Sequence, residues 1–187
     1  APIVFNPFGS VIRTLRDIRR DTNVAPPLAG LAWFWFFGAF LQMTILLFAK
    51  QRLGLSDTRT GLLLTVRAAS IGLGSLLAGR WSDKKIEIGL IPLGAVGMAV
   101  FMLDLSFAET AARAAADLFC LGIFGGLFIV PQDAMVQHKS ADGERGRVIA
   151  ASNFLIFSGI LLSSGASWAL TQPLPELASG GLPLYVN

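Results

Sequence analysis

The sequence has 187 residues, of which 53% are hydrophobic and 14% are charged, and its net charge is +3. Soluble globular domains carry about 25% charged residues, so this composition argues against a water-soluble domain. The basic residues lie at the ends of apolar runs rather than on one face. We therefore interpret them as membrane topology signals and not as a nucleic-acid-binding surface.

Residues 1–27 form a polar entry segment, which we predict to be a cytoplasmic connector containing an amphipathic helix. Val11, Leu15 and Ile18 recur at helical spacing, and arginines fill the positions between them. Two placements fit this pattern: a helix lying on a membrane surface or a solvated connector between domains. The stretch from Asn23 to Pro27 then ends the helix.

Five apolar stretches follow, and we predict that each crosses a membrane as a helix. The first is uncharged and long enough for about 33 Å of helix, which matches the hydrocarbon core of a bilayer. The third reaches a full span only if it continues through Asp104 to Phe107. The predicted fold is thus an all-α membrane bundle of residues 28–170, with spans at 28–49, 60–79, 88–107, 114–136 and 148–170, followed by an extramembrane tail at 171–187.

The distribution of lysine and arginine predicts the orientation of the bundle. When the spans alternate, the larger group shares one side with the entry segment: Arg13, Arg16, Arg19, Arg20, Arg80, Lys84, Lys85, Lys139, Arg145 and Arg147. The smaller group comprises Lys50, Arg52, Arg59 and Arg113. The positive-inside rule places the larger group in the cytoplasm.

Arg67 interrupts the second predicted span. A charge at this depth costs roughly 2.5–3.5 kcal/mol on insertion scales. Two interpretations stay open: the side chain reaches back to the nearer membrane surface, about 11 Å away, or it lines an aqueous or substrate-filled cavity. Further along the same span, small residues predict close packing with a neighbouring helix: Gly72, Gly74, Ser75, Ala78 and Gly79.

Other residues within or beside the spans have a structural and a functional interpretation. The aromatic run from Trp33 to Phe37 is interpreted first as packing and lipid contact, with substrate contact as the alternative. Asp104 and Asp117 fall near the same membrane surface, where they either mark helix ends in water or face an opening. Pro131 predicts a kink in the fourth span. Cys120 is interpreted as a small buried residue.

Enzymatic chemistry finds little support in the sequence. Glycerolipid acyltransferases use a histidine and an aspartate separated by four residues, whereas only three separate His138 from Asp142. No clustered metal ligands and no Walker-type phosphate loop occur in the sequence. We therefore predict no enzymatic activity and no cofactor, and we interpret His138 as a polar loop residue.

The cytoplasmic loops carry charges of both signs. Asp83 and the pair Arg145 and Arg147 fall at the same predicted surface, where they would form a charge clasp that closes the cytoplasmic side in one state. The alternative is that these charges only set the topology. The predicted gate comprises Gly79, Asp83, Lys84, Glu144, Arg145 and Arg147.

The first loop motif, Gly79-x-x-x-Asp83-Lys84-Lys85, resembles the inter-helix loop motif of the major facilitator superfamily of twelve-helix transporters. Further motifs resemble its lysophospholipid transporter branch: Phe5-Asn6-Pro7, Trp33-Phe34-Trp35-Phe36, Val130-Pro131 and the run from Glu144 to Phe154. The sequence departs from that branch after Pro131, where Gln132 and Asp133 replace leucine and asparagine. Ser152 stands where asparagine is usual.

The resemblance covers about residues 5–170 and implies helices seven to eleven of the transporter, which is part of its C-terminal six-helix bundle. Because the first residue is Ala1 rather than Met, we expect a longer chain, with a missing N-terminal half as partner. The implied location is the bacterial inner membrane, as a multi-pass protein with a cytoplasmic N-terminal segment. Members of the branch are often fused to, or encoded beside, a glycerophospholipid acyltransferase.

The implied function is the movement of lysophospholipid from the outer to the inner leaflet by alternating access. Arg67 would then pair with the lipid phosphate, and Gln132 and Asp133 would contact the polar headgroup. Two alternatives stay open. One is a major facilitator exporter of a drug or metabolite. The other is a non-transporting fragment, or a membrane anchor for a fused acyltransferase.

Overall fold

The computed structural model describes residues 7–22, 24–82, 86–139 and 145–171. In these ranges the regular structure is entirely helical, which confirms the predicted fold class. Six helices follow one another along the chain: α1 (Pro7–Arg20), α2 (Ala25–Gln51), α3 (Asp57–Ser82), α4 (Leu90–Ser106), α5 (Ala111–Lys139) and α6 (Arg145–Thr171). The predicted tail lies almost wholly outside the described residues, as does the segment before Pro7.

Four of these helices are long and apolar enough to cross a membrane, judged by length and composition: α2, α3, α5 and α6. α4 is also apolar, but its 17 residues give only about 26 Å of helix. It ends at Ser106, close to the far limit of the third predicted span. The sequence therefore located five apolar helices, of which one is at the short end of the range for spanning.

The helix ends follow from local sequence. α2 has prolines in its first turn, where a missing backbone N–H costs no helical hydrogen bond. The turn after α2 contains Gly54 at a φ of 59°, a left-handed conformation that glycine adopts without steric penalty. α3 then begins at Asp57, whose negative charge suits the positive end of the helix dipole. Lys50 closes this turn with an ion pair to Asp57, at 2.6 Å.

α5 is the central helix of the described bundle. In its apolar window 61% of the residues are buried, against 22–28% in the other three candidate spans. It packs on α3, α4 and α2, while α6 packs mainly on α2. The fourth predicted span is thus the helix on which α2, α3 and α4 pack. It runs without interruption through Pro131 to Lys139.

Small residues bring α3 and α5 into backbone contact. A Cβ on Gly74 would collide with the backbone of Ile123, and one on Gly126 would collide with the α3 backbone around Ser75. Ala78 is fully buried in the same part of α3. Gly72 and Gly79 are exposed, and a Cβ there would meet nothing within 4 Å. Of the small residues predicted to allow close packing, Gly74 and Ala78 lie at the interface with α5. The two exposed glycines do not, because they lie on the opposite side of α3.

α1 lies against one end of the bundle and packs on α6 and α2. Its apolar residues Leu15 and Ile18 join a core cluster with Val24, Leu28 and Val148. The beginnings of α2 and α6 therefore share one end of the molecule, as alternating spans require. Leu15 and Ile18 of α1 therefore face protein, and the choice between a connector and a membrane-surface helix stays a prediction.

Asp104 and Asp117 lie at the opposite end in two different environments. Asp104 is half-exposed and forms an ion pair with Arg113 at 2.6 Å. Asp117 is only 4% exposed, and among the described residues its Oδ2 has no hydrogen-bond partner. The interpretation as helix-end residues in water therefore holds for Asp104 and is wrong for Asp117. Sequence position gives depth along a helix, whereas neighbouring helices decide which face is covered.

Candidate functional site

A cavity of about 850 Å³ lies between α2, α3, α5 and α6. Most of its wall is apolar, formed by side chains such as Leu64, Ile129 and Ile160. A few polar side chains interrupt that wall: Gln42, Thr65, Arg67, Ser75, Asp133 and Ser164. Binding sites for small organic molecules combine these features, a largely apolar enclosure with a few orienting polar groups.

Arg67 extends from α3 toward α2. Its Nη2 donates a hydrogen bond to the carbonyl oxygen of Gly38 at 3.2 Å, and within the described chain its buried Nε has no partner. Glycine makes this approach possible, since a Cβ at position 38 would lie only 3.3 Å from the guanidinium. The side chain therefore lines the cavity and does not turn back to the membrane surface.

Gln132 and Asp133 are adjacent in sequence but face different surroundings. Gln132 is 2% exposed, donates from Nε2 to the carbonyl of Phe128 at 2.9 Å, and fills the space left by Gly30. Asp133 lines the cavity and is exposed. Of this pair, only Asp133 lines the cavity, because Gln132 points about 100° away around the helix and packs against α2 at Gly30. The predicted headgroup contact from Gln132 therefore does not fit this conformation.

Arg67 and Asp133 lie at different depths in the cavity. On α2, Arg67 contacts Gly38 and Gln132, the neighbour of Asp133, contacts Gly30. These two glycines are eight residues apart, which corresponds to about 12 Å along the helix. On α5, Gly122 lies against the carbonyl of Arg67, and the eleven residues from there to Asp133 correspond to about 16 Å. In the predicted orientation, Arg67 is the nearer of the two to the extracellular side.

The aromatic run is divided between cavity and packing. Phe34 and Trp35 line the cavity and form an edge-to-face pair with ring centroids 6.1 Å apart. Trp33 instead stacks on Phe37 at 5.2 Å. The packing interpretation is therefore confirmed for Trp33 and Phe37, and substrate contact stays a prediction for the two cavity-lining rings.

Gln42 is a cavity residue that the sequence analysis missed. It lies one helical turn after Gly38, which accepts the hydrogen bond of Arg67. The available signal was a polar amide in an otherwise apolar, uncharged span. Among the described residues, no three His, Cys, Asp or Glu side chains converge as metal ligands.

Most residues of the predicted gate lie outside the described part of the chain. Asp83, Lys84 and Glu144 lie outside the described residues, as does the side chain of Arg145. Gly79 is exposed on α3. Arg147 contacts α1: its Nη2 donates to Thr14 Oγ1 at 3.2 Å and lies 3.9 Å from a carboxylate oxygen of Asp17. The clasp with Asp83 stays a prediction.

Comparison with known families agrees with this bundle of apolar helices. A sequence model described as Major Facilitator Superfamily matches residues 4–164. The chain belongs to the major facilitator superfamily. This confirms the resemblance predicted from the loop motifs, and it identifies the apolar helices as those of a multi-pass membrane protein.

Within the superfamily, the chain is similar to curated proteins named lysophospholipid transporter LplT. The protein from Yersinia enterocolitica is 30% identical over 160 residues, which cover 84% of this chain and 39% of that relative. The proteins from Yersinia pestis and Yersinia pseudotuberculosis are 29% identical over 147 residues, or 78% of this chain and 36% of each relative. The chain thus spans less than half the length of these relatives. No solved structure matches it significantly.

Proposed function

We propose that the full-length protein is a transporter that moves lysophospholipid from the outer to the inner leaflet of the bacterial inner membrane. The observation that carries this proposal is a single arginine in the wall of a largely apolar cavity. A lysophospholipid has the matching chemistry, with one phosphate and one acyl chain. The similarity to proteins named lysophospholipid transporters supports the same cargo.

Arg67 is suited to hold the phosphate. A guanidinium has five N–H donors in a planar fork that matches phosphate oxygens, and its Nε has no partner among the described residues. Its hydrogen bond to the carbonyl of Gly38 holds the guanidinium at the cavity wall. A volume of about 850 Å³ lies within the range of about 300–1,000 Å³ that is usual for ligand pockets.

The transport cycle would require a second helical bundle. We propose that an N-terminal half supplies it, and that the two halves rock around the cavity to expose it to each side in turn. The predicted clasp of Asp83, Arg145 and Arg147 would close the cytoplasmic side in one state. A fused or neighbouring acyltransferase would then receive the lipid at the inner leaflet.

Uptake of labelled lysophospholipid into spheroplasts tests this function, with the complete gene expressed as parent and as Arg67→Ala. We expect the parent to exceed empty-vector cells and Arg67→Ala to lose at least about tenfold of that uptake, since a charge-assisted phosphate contact contributes about 1.5–3 kcal/mol. Arg59→Ala is the matched control, because Arg59 is an exposed arginine of the same helix outside the cavity. Membrane levels of each variant are measured by immunoblot.

Two outcomes would contradict parts of the proposal. Uptake by the parent no greater than by empty-vector cells would remove the lipid cargo and favour the exporter of a drug or metabolite. Equal uptake by the parent and Arg67→Ala would keep the cargo and remove the phosphate contact.

A further inference from the structure

We propose that α1 carries a binding surface for the headgroups of anionic phospholipids, formed by Arg13, Arg16 and Arg19. We call these three side chains the arginine face. The inference goes beyond the proposed function and does not depend on the cargo, because it concerns the outer side of α1 and the bilayer around the bundle. Three observations carry it: the two-sided character of α1, its depth along the bundle and the lack of counter-charges on its exposed side.

The first observation is that α1 has two different sides. Thr14 is 5% exposed and Ile18 is 8% exposed, and Leu15 packs against the same core cluster as Ile18. The arginine face is exposed, and at 3.6 residues per turn its centre lies about 150° around the helix from those three packed residues. The apolar side of α1 is therefore occupied by protein, and its cationic side faces the surroundings.

The second observation is the depth of α1 along the bundle. The Thr14 hydroxyl accepts a hydrogen bond from Arg147 at 3.2 Å, and Arg147 directly precedes the fifth predicted span. Four residues after Thr14, Ile18 joins the cluster that contains Val24 and Leu28 at the beginning of α2. α1 thus runs from the beginning of α6 to the beginning of α2, at the level where both helices enter their predicted spans. The polar headgroups of a bilayer surround a membrane bundle at this level.

The third observation concerns charge compensation. Within the part of the chain that the structure describes, no ion pair involves the arginine face. Asp17, the one acidic residue of α1, lies 3.9 Å from Arg147 of α6 instead. Guanidinium groups match phosphate oxygens, and each arginine near an anionic membrane surface raises the affinity about fivefold. Three uncompensated guanidinium groups at headgroup depth therefore favour anionic lipid.

The spacing of the arginine face favours a lipid surface over a single soluble anion. The three residues follow one another at intervals of three, so they spread over about 9 Å along the helix and about 120° around it. A site for one small anion would instead bring its donors together at one point. A leaflet presents many headgroups side by side, and these can contact all three arginines at once. Anionic lipid would then hold α1 against the bundle from its outer side.

Hydrogen exchange in lipid nanodiscs tests the inference with the full-length protein. One sample contains phosphatidylcholine alone, and the other contains an equal mixture of phosphatidylcholine and phosphatidylglycerol. We expect the mixture to slow amide exchange in α1 at least about fivefold, which is the effect of one engaged arginine, without changing exchange in α5. Both leaflets of a nanodisc have the same composition, so the result does not depend on the orientation of the protein.

The triple variant Arg13→Gln, Arg16→Gln, Arg19→Gln should lose the difference between the two lipid compositions. In phosphatidylcholine alone it should exchange like the parent, because the arginine face contacts no anionic group there. Replacing the same three residues by lysine keeps the charge and should keep most of the effect.

Two further controls separate a local charge effect from a general one. The double variant Arg52→Gln, Arg59→Gln removes exposed charges at the opposite end of the bundle and should keep the parental response of α1. Raising the salt concentration from about 0.1 M to about 1 M shortens the screening length from about 10 Å to about 3 Å. The effect of phosphatidylglycerol on the parent should disappear at the higher concentration.

Several results would overturn the inference. Equal exchange of α1 in the two lipid compositions would do so, as would an effect of phosphatidylglycerol that persists in the triple variant. If exchange is slow in both compositions and becomes fast in the triple variant, the arginine face binds protein and not lipid. If inorganic phosphate reproduces the effect in phosphatidylcholine nanodiscs, the ligand is a soluble anion. These measurements involve no transport, so failure of the proposed function would appear separately, in the uptake assay.

Discussion

The two sides of α5 differ in how closely they pack against their neighbours. Toward α3, Gly122 and Gly126 allow backbone contact, and the interface is closed. Toward the cavity, Ile129, Val130 and Asp133 leave space that no other described side chain fills. The closed side carries glycines, which have no side chain, whereas the open side carries the charged side chain of Asp133.

The difference follows from the physics of helices in lipid. Apolar burial does not drive helix association there, because lipid tails are as apolar as leucine. Close van der Waals packing through small residues supplies the attraction instead. A site for a polar cargo must avoid such packing, since its charged groups need to remain accessible. Substitutions on the closed side should therefore damage folding, and, under the proposed function, those on the open side should damage transport.

The largest effect on folding should come from Gly126→Leu. A Cβ at this position would lie within 2.6 Å of three backbone atoms of α3, so the helices must separate. Overpacking typically costs about 1–3 kcal/mol, and we expect Tm in detergent to fall by about 5 °C or more. Gly72→Leu is the matched control, since a side chain there meets open space. An equal effect of the two substitutions would contradict the assignment of the closed side.

A smaller, local effect should follow Arg147→Gln, which tests whether α1 is held on the bundle by specific contacts. The substitution removes the hydrogen bond to the buried Thr14 hydroxyl and the contact with Asp17. A hydrogen bond of this kind contributes about 0.5–1.5 kcal/mol. Amide hydrogen exchange in α1 should therefore become about two- to tenfold faster, with little change in α5. Arg16→Gln, on the exposed face of α1, should not accelerate exchange.

The smallest effect should come from Asp104→Asn at the turn between α4 and α5. Its ion pair with Arg113 is short, at 2.6 Å, but both side chains are half-exposed, and exposed pairs contribute little because water and salt screen them. We expect no measurable change in Tm at either low or high salt. Lys50→Gln, which breaks the exposed pair with Asp57, should behave in the same way. A clear loss of stability in Asp104→Asn alone would indicate that Asp104 also supports the buried Asp117.

Much of the fold was predictable because a bilayer imposes a simple rule on sequence. Long apolar stretches must become helices, so the helices were located to within a few residues at most ends. Arg67 was identifiable for the same reason, since a charge in an apolar span is costly wherever it points. The family resemblance was also readable, because the superfamily motif from Gly79 to Lys85 lies where charged residues interrupt the apolar pattern.

The tertiary structure decided which face of each helix is covered. It placed Asp133 in the cavity and Gln132 in the packing, buried Asp117 but not Asp104, and brought Gly74 but not Gly72 into an interface. Sequence by itself determined the helices, their order and the depth of each charge, because these depend on hydrophobicity and helical rise alone. The residues that pack against each helix could not be predicted in this way. The rotation of a helix about its axis depends on contacts with side chains that are distant in the sequence.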